Sequence, residues 1–267
     1  ISSAMTTSQP PADPTLDAGR VGHEVHDGIG TIRFYHPKGN SLPGALLRAL
    51  AHEVDLLAKH DGVRVIVLRS EGLGPFCAGA SFDELRSIND PATGKEFFMG
   101  FARLILAMRR CPKFVIARVH GKVVGGGVGV CAAADYAIAT THASVKLSEL
   151  AVGIGPFVVG PVIERKIGRA AFQTLAIDAT EWHDAAWAHR AGLFAKVADN
   201  NDALDGAVVS LAAHLARSNP EAMALMKQAF WEGTDDWDQL LEQRAETSGR
   251  LVLSDFTRSA LAAFAAR

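Results

Sequence analysis

The chain has 267 residues, 48% of them hydrophobic, which is long and apolar enough for one large α/β domain with an appendage and excludes a wholly disordered chain. Its net charge is −2, from 27 basic and 29 acidic residues, with no basic block or stripe, so composition gives no footprint for nucleic acid or an anionic membrane. Three cysteines, Cys77, Cys111 and Cys131, lack C-x-x-C spacing, which argues against a disulfide framework or a zinc knuckle and fits a reducing cytoplasm.

No run approaches the ~18 apolar residues of a membrane span, and the N-terminus lacks the charged-then-apolar order of a signal peptide. Residues 1–4 precede Met5 and read as a cloning remnant. The whole stretch 1–20, with Pro10, Pro11 and Pro14 among small polar residues, reads as a disordered tail. Residues 22–35 follow as a hairpin turned by Asp27-Gly28. Pro43 lies near a helix start, with Leu46, Leu47, Leu50, Val54 and Leu57 at helical spacing and Gly62 past the end. "VRVIVLRS" (63–70) is a buried strand, followed by a Gly-rich loop (71–81). Thr93 and Glu96 form a capping-box pattern for a helix that ends before Pro112.

"KFVIARV" (113–119) is a second buried strand, and "YAIAT" (136–140) a third, separated by the glycine-rich "VVGGGVGVCAAAD" (123–135). Strands alternating with helices predict a largely parallel sheet flanked by helices. After about residue 200 strand signals vanish. "DALDGAVVSLAAHLA", "PEAMALMKQAFWEG", "DDWDQLLEQRAE" and "SDFTRSALAAFAAR" read as successive helices, the second introduced by Pro220. The expected organisation is therefore a tail (1–20), an α/β core (21–200) and a helical C-terminal region (201–267).

Gly127-Val128-Gly129-Val130-Cys131-Ala132 matches the dinucleotide pattern G-x-G-x-x-A after a strand, and Glu149 lies twenty residues past Gly129. The helix that opens at Gly126 is only some nine residues, or ~13 Å, before the next strand, and Glu149 falls beyond that strand's end rather than at its tip. No Lys-Ser/Thr follows the glycines, so a P-loop is also set aside. Tight packing of a helix on the sheet is the plain alternative for an isolated glycine cluster. "GPFCAGASFDEL" (74–85) changes the weighting, because it follows the 63–70 strand as the triple glycine follows the 113–119 strand. Adjacent parallel strands bring both loops to one sheet edge, where α/β sheets bind ligands.

"FCAGAS" and "VHGKVVGGGVGVCAAADYAIAT", followed by "ASVKLSELAVGIGP" and "IERKIGR", resemble the enoyl-CoA hydratase/isomerase (crotonase) family from about residue 21 to 267. The resemblance implies an α/β fold made of a spiral of strand-strand-helix units with a helical C-terminal region. It also implies a trimer, or a hexamer of two trimers, and acyl-CoA thioester substrates, with coenzyme A arriving as part of the substrate and no separate cofactor. The family's reactions develop negative charge on a thioester oxygen, which two backbone N–H donors stabilise, each worth on the order of 3 kcal/mol. Matched onto this sequence, those donors are the amides of Ala80 and Gly126, the latter at a helix start where the dipole adds to the effect.

Family hydratases use two glutamates. One matches Glu149, whereas the other falls on Gly129, which has no side chain. Adding water needs a base for the water and an acid for the α-carbon, but moving a double bond needs one group to take a proton and return it. The missing carboxylate favours isomerisation on chemical grounds, with hydration open if Asp83 or Glu84 reaches the pocket. Without the resemblance, Glu149 reads as a solvated loop acid. Decarboxylation, thioester hydrolysis and a non-catalytic acyl-CoA-binding subunit are the alternatives.

The resemblance places coenzyme A contacts at Lys38 in "HPKGNSL", at Ala78, and at Phe264 and Arg267 in the C-terminal "AAFAAR", the last two beside a neighbouring subunit's adenine site. Ser81 stands where many members carry Asp, a change expected to alter loop hydrogen bonding. "GAS" is not a nucleophile elbow, because Asp83 occupies the place of the last glycine in G-x-S-x-G. "HEVH" (23–26) puts its histidines on opposite faces of a strand, and His183 and His189, six apart on an expected helix, do not share one face, so no metal site is expected. His120 reads as a structural histidine near the pocket. Met223, Met226, Phe230 and Trp231 read as core or subunit contacts.

Overall fold

The computed structural model describes residues 19–265; the expected tail and Arg267 lie wholly or almost wholly outside them. The chain opens with the hairpin β1 (Arg20–His26) and β2 (Ile29–Tyr35), whose turn residues Asp27 (φ 47°) and Gly28 (φ 82°) supply the positive dihedrals such a turn demands. Helix α1 (Gly44–Lys59) starts after Pro43 and buries Leu46, Leu47, Leu50, Val54 and Leu57 completely, as their spacing predicts. Then come β3 (Val65–Ser70), α2 (Phe82–Ser87), α3 (Pro91–Arg110), β4 (Phe114–Val119), β5 (Val123–Val124) and α4 (Gly126–Ala133). The core continues through β6 (Tyr136–Thr140), β7 (Ser144–Lys146), α5 (Gly160–Ile177), β8 (His183–Asp184), α6 (Ala185–Arg190) and β9 (Lys196–Ala198). Four helices complete the chain: α7 (Asn201–Ala216), α8 (Pro220–Phe230), α9 (Trp237–Leu251) and α10 (Asp255–Ala265).

The main sheet has the order β1-β2-β3-β4-β6-β9, with every pairing parallel except that of β1 with β2, and a smaller sheet has the order β5-β7-β8. Successive strand pairs split between the two sheets: β4 and β6 enter the large one, while β5 and β7 enter the small one before a helix returns the chain. Both faces of the large sheet are covered, which is why β3 and β4 read as continuous apolar runs. Ile66 and Leu68 face α1 and α3, whereas Val65 and Val67 on the same strand join Phe114, Ile116 and the α7 residues Leu204 and Val208 behind the sheet.

Two expectations need correction. Helix α3 is capped by Asp90, whose side chain accepts a hydrogen bond from the Thr93 N–H at 2.9 Å, with Pro91 in the first turn. Thr93 is therefore already inside the helix, and Glu96 pairs with Arg103 instead of closing a box. His183 lies on β8 rather than on a helix, although its partner in that reading, His189, is helical. Of the residues expected in the core or at a subunit contact, Met223 is buried in the core, whereas Met226 and Phe230 are about half exposed.

The C-terminal helices pack on the core of their own chain. At the crossing of α3 and α9, a Cβ on Gly94 would sit 2.8 Å from the Gly249 carbonyl oxygen, a clearance only glycine permits. Helix α8 is fastened by a buried ion pair. Lys227 Nζ lies 2.8 Å from Asp135 Oδ2, with side chains 2% and 8% exposed, and Nζ also donates to the Lys113 carbonyl at 2.8 Å.

Candidate active site

Two loops leave the adjacent parallel strands β3 and β4 at the same sheet edge, as their sequence positions predict. They are tied together by a short parallel bridge, Cys77 to Val123, and a second, Leu42 to Ala80, ties the first loop to the segment before α1. Between Cys77 and Ser81 of the first loop every N–H but one is spent within the chain. Cys77 donates to the Lys122 carbonyl, Ala78 to Gly39, Gly79 to the Cys77 sulfur and Ser81 to Leu42. Ala80 is the exception: its N–H has no acceptor among the described residues.

The second loop reaches α4 through Gly125, whose N–H donates to the Lys146 carbonyl at 2.8 Å and whose φ of +53° with ψ −125° is open to glycine alone. Gly126 is then the first residue of α4, with no acceptor for its N–H among the described residues and the helix dipole behind it. The two backbones run close together: a Cβ on Gly79 would stand 2.8 Å from the Val124 carbonyl oxygen and 3.6 Å from the Gly126 nitrogen. Ala80 and Gly126 both line one cavity of about 50 Å³.

Glu149 enters the same cavity from the loop after β7. Its backbone is fixed by a 3-10 turn, Leu150–Val152, in which the Glu149 carbonyl accepts from Val152 and Ile154. Its carboxyl Oε1 lies 3.2 Å from where a Cβ on Gly125 would be, so the acid sits at the entry to α4. The residue as a whole is half-buried, but its Oε2 is buried and has no partner among the described residues. Burial pushes its pKa up to about 7, with only its own N–H opposing. The rest of the wall is mostly apolar, including Phe82, Phe98, Phe101, Ile154, Phe157 and Val159, with Ser148 and Ser248 adding hydroxyls.

A raised carboxyl pKa makes the fold sensitive to pH. Unfolded, Glu149 titrates near 4.5; folded, near 7, so the folded chain holds the extra proton between those values. Stability contributed by this group therefore falls as pH rises through that window, by on the order of 3 kcal/mol in all. Thermal unfolding at about pH 5 and about pH 8 should show a smaller difference in Glu149→Gln than in the unmodified chain. Equal differences would mean that the carboxyl is solvated.

The other expected residues fall as follows. Gly129 is buried on α4, and the space its side chain would need is filled by Val159. Asp83 pairs with Lys38 and Arg86, whose hydrogen bonds hold its carboxyl below the usual range, and Glu84 accepts from the Gly44 N–H at 2.6 Å. Neither acid lines the cavity, so the expectation that one might replace the missing carboxylate fails on geometry. Ser81 caps α2, accepting from the Glu84 N–H. Ala78 lines the cavity, Lys38 pairs with Asp83 and does not line it, and Phe264 packs edge-on against Phe82 of its own chain at 5.5 Å between ring centres. Arg267 lies outside the described residues. His120 does not line the cavity, and burial with the Arg118 charge pushes its pKa down. Cys77 and Cys131 are buried thiols pushed up to about 12, which excludes them as nucleophiles. Among the described residues no cluster of His, Cys, Asp or Glu could hold a metal, and no helix is long and apolar enough to cross a membrane.

Sequence reasoning had no access to Val159, Phe98 or Ser248, which come from three different elements. Only the clustering of the glycines hinted that something packs tightly on α4.

Strand-strand-helix units feeding two sheets, with a ligand cavity where two parallel strands end, define the crotonase fold. An enoyl-CoA hydratase from Bacillus halodurans superimposes with a TM-score of 0.84 over 91% of this chain and 99% of its own, at 22% identity. An enoyl-CoA hydratase from Mycobacterium avium gives 0.81 over 92% and 96%, at 27% identity. The chain belongs to the enoyl-CoA hydratase/isomerase family, whose sequence profile matches residues 24–264. Among curated relatives, the mitochondrial methylglutaconyl-CoA hydratase of Rattus norvegicus is 32% identical over 83% of this chain and 72% of its own. The short-chain-enoyl-CoA hydratase of Clostridium acetobutylicum is 26% identical over 93% and 95%.

Proposed function

We propose that this chain moves a carbon–carbon double bond in an enoyl-CoA thioester between the 3,4 and 2,3 positions, with Glu149 as the only acid–base group. The observation that supports this reading is that Glu149 is the one ionisable side chain among the described residues lining the cavity. The carboxylate takes a proton from C2 of the 3-enoyl thioester, and the electrons pass to the carbonyl oxygen as a dienolate. The N–H groups of Ala80 and Gly126 receive that oxygen, and because they are fixed in backbone they need no reorganisation as the charge develops. The same carboxyl then gives its proton to C4, leaving the conjugated 2-enoyl thioester. A pKa of about 7 leaves Glu149 comparably populated as acid and base near neutrality, which suits a group that must do both tasks.

Ala78 on the cavity wall would contact coenzyme A, with Lys38 as a further contact and Phe264 serving a neighbouring subunit's adenine site. Hydration is the second reading, favoured by the names of the relatives, the rat methylglutaconyl-CoA hydratase among them. The two are separated by incubating the chain with 2-enoyl- and 3-enoyl-CoA thioesters, separating the products by chromatography and weighing them. An isomer at unchanged mass is expected. A gain of one water would overturn isomerisation in favour of hydration, and failure of any CoA thioester to bind or react would remove the acyl-CoA reading altogether.

A further inference from the structure

We infer that Val159 is a specificity-determining residue: packed over Gly129, it closes the place where a second catalytic group or a bound water would stand, and so commits the site to proton transfer. This rests on the acyl-CoA reading of the same cavity. Gly125 and Gly129 are one turn apart at the start of α4, ~5.4 Å along the axis. The first faces the Glu149 carboxyl, and the second faces Val159. A Cβ on Gly129 would come within 2.5 Å of Val159 Cγ1 and 2.6 Å of its Cβ, while the Val159 Cα is 3.5 Å away. The obstacle is thus the branched side chain alone.

Val159 is 4% exposed and caps α5, with its carbonyl accepting from the Ile163 N–H at 3.1 Å. It cannot swing aside without disturbing the helix start, and β-branching leaves it few rotamers. Its side chain also lines the cavity. One residue therefore does two things: it forbids any side chain at position 129, and it presents methyl groups where a nucleophilic water would need polar partners. For water addition, the water oxygen must bond to C3 while its proton goes to Glu149 and from there to C2. Val159 removes the space for that oxygen.

The test uses Val159→Ala, Val159→Gly, and Gly129→Glu with and without Val159→Gly, each given 2-enoyl- and 3-enoyl-CoA, with hydrated product identified by mass and the isobaric 2- and 3-enoyl thioesters separated by chromatography. The hydrated fraction should rise about tenfold or more when Val159 is trimmed, and further in G129E/V159G, where a second carboxylate can enter. Gly129→Glu alone should not hydrate. An unchanged hydrated fraction in both Val159 variants, or Gly129→Glu alone matching the pair, would overturn the inference. A thermal-unfolding cycle needs no substrate: Gly129→Ala should be destabilising with Val159 in place and nearly neutral beside Val159→Gly, and equal losses in both backgrounds would refute the contact. Hydration by the unmodified chain would instead sink the proposed function, so the two failures are told apart.

Discussion

Replacing Glu149 by glutamine is expected to lower isomerisation roughly 10³-fold, within the range for loss of a positioned acid–base group, while affinity for the CoA thioester stays near that of the unmodified chain. Glutamine keeps the size of the side chain, and the N–H groups of Ala80 and Gly126 belong to other segments, so the oxygen-binding side of the cavity is left intact. The effect is large because no neighbour can substitute: Asp83 is held by Lys38 and Arg86, and Glu84 by the Gly44 N–H. In the unmodified chain the rate per free enzyme should climb as pH rises through about 7, where the buried carboxyl becomes a base. Glu149→Gln should lose that limb. Retained turnover would show that Glu149 is not the acid–base group, and a chain that binds acyl-CoA without turning it over in either form would be a binding subunit.

What could be read from the residues divides according to the range of the interactions. The Asp27-Gly28 turn, the apolar spacing of α1 and the continuous apolar runs of β3 and β4 are local consequences of dihedral and burial patterns, and each appears where it is expected. The α3 cap was misplaced because two local patterns compete. Asp90-Pro91 and Thr93-x-x-Glu96 both read as helix starts, and the earlier one wins since proline presets the first turn. At the site, the backbone donors were legible only through the glycines and a family resemblance, because an N–H has no side-chain signature. Gly129 and Val159 are the opposite case. Their contact spans thirty residues and depends on how α4 meets α5, a tertiary fact that neither stretch carries alone.

Lys227→Ala is expected to cost about 3–5 kcal/mol, because it leaves the buried Asp135 carboxylate facing an empty space. Asp135 follows the end of α4 and is bonded to β4 in both directions: its N–H donates to the Val115 carbonyl at 2.9 Å, and its Oδ2 accepts from the Val115 N–H at 2.7 Å. One N–H is too little to compensate a carboxylate out of water, and Lys166 is occupied with the carbonyls of Ala134 and Asp135 rather than the carboxyl. For a chain of this size the loss corresponds to a fall in Tm of roughly 6–20 °C. The physical content lies in the comparison with Lys227→Met/Asp135→Asn. Removing both charges while keeping volume should recover much of the loss, since a buried pair is costly chiefly when halved. If Lys227→Ala unfolds within about 2 °C of the unmodified chain, water reaches Asp135 and the fastening of α8 to the sheet is not electrostatic.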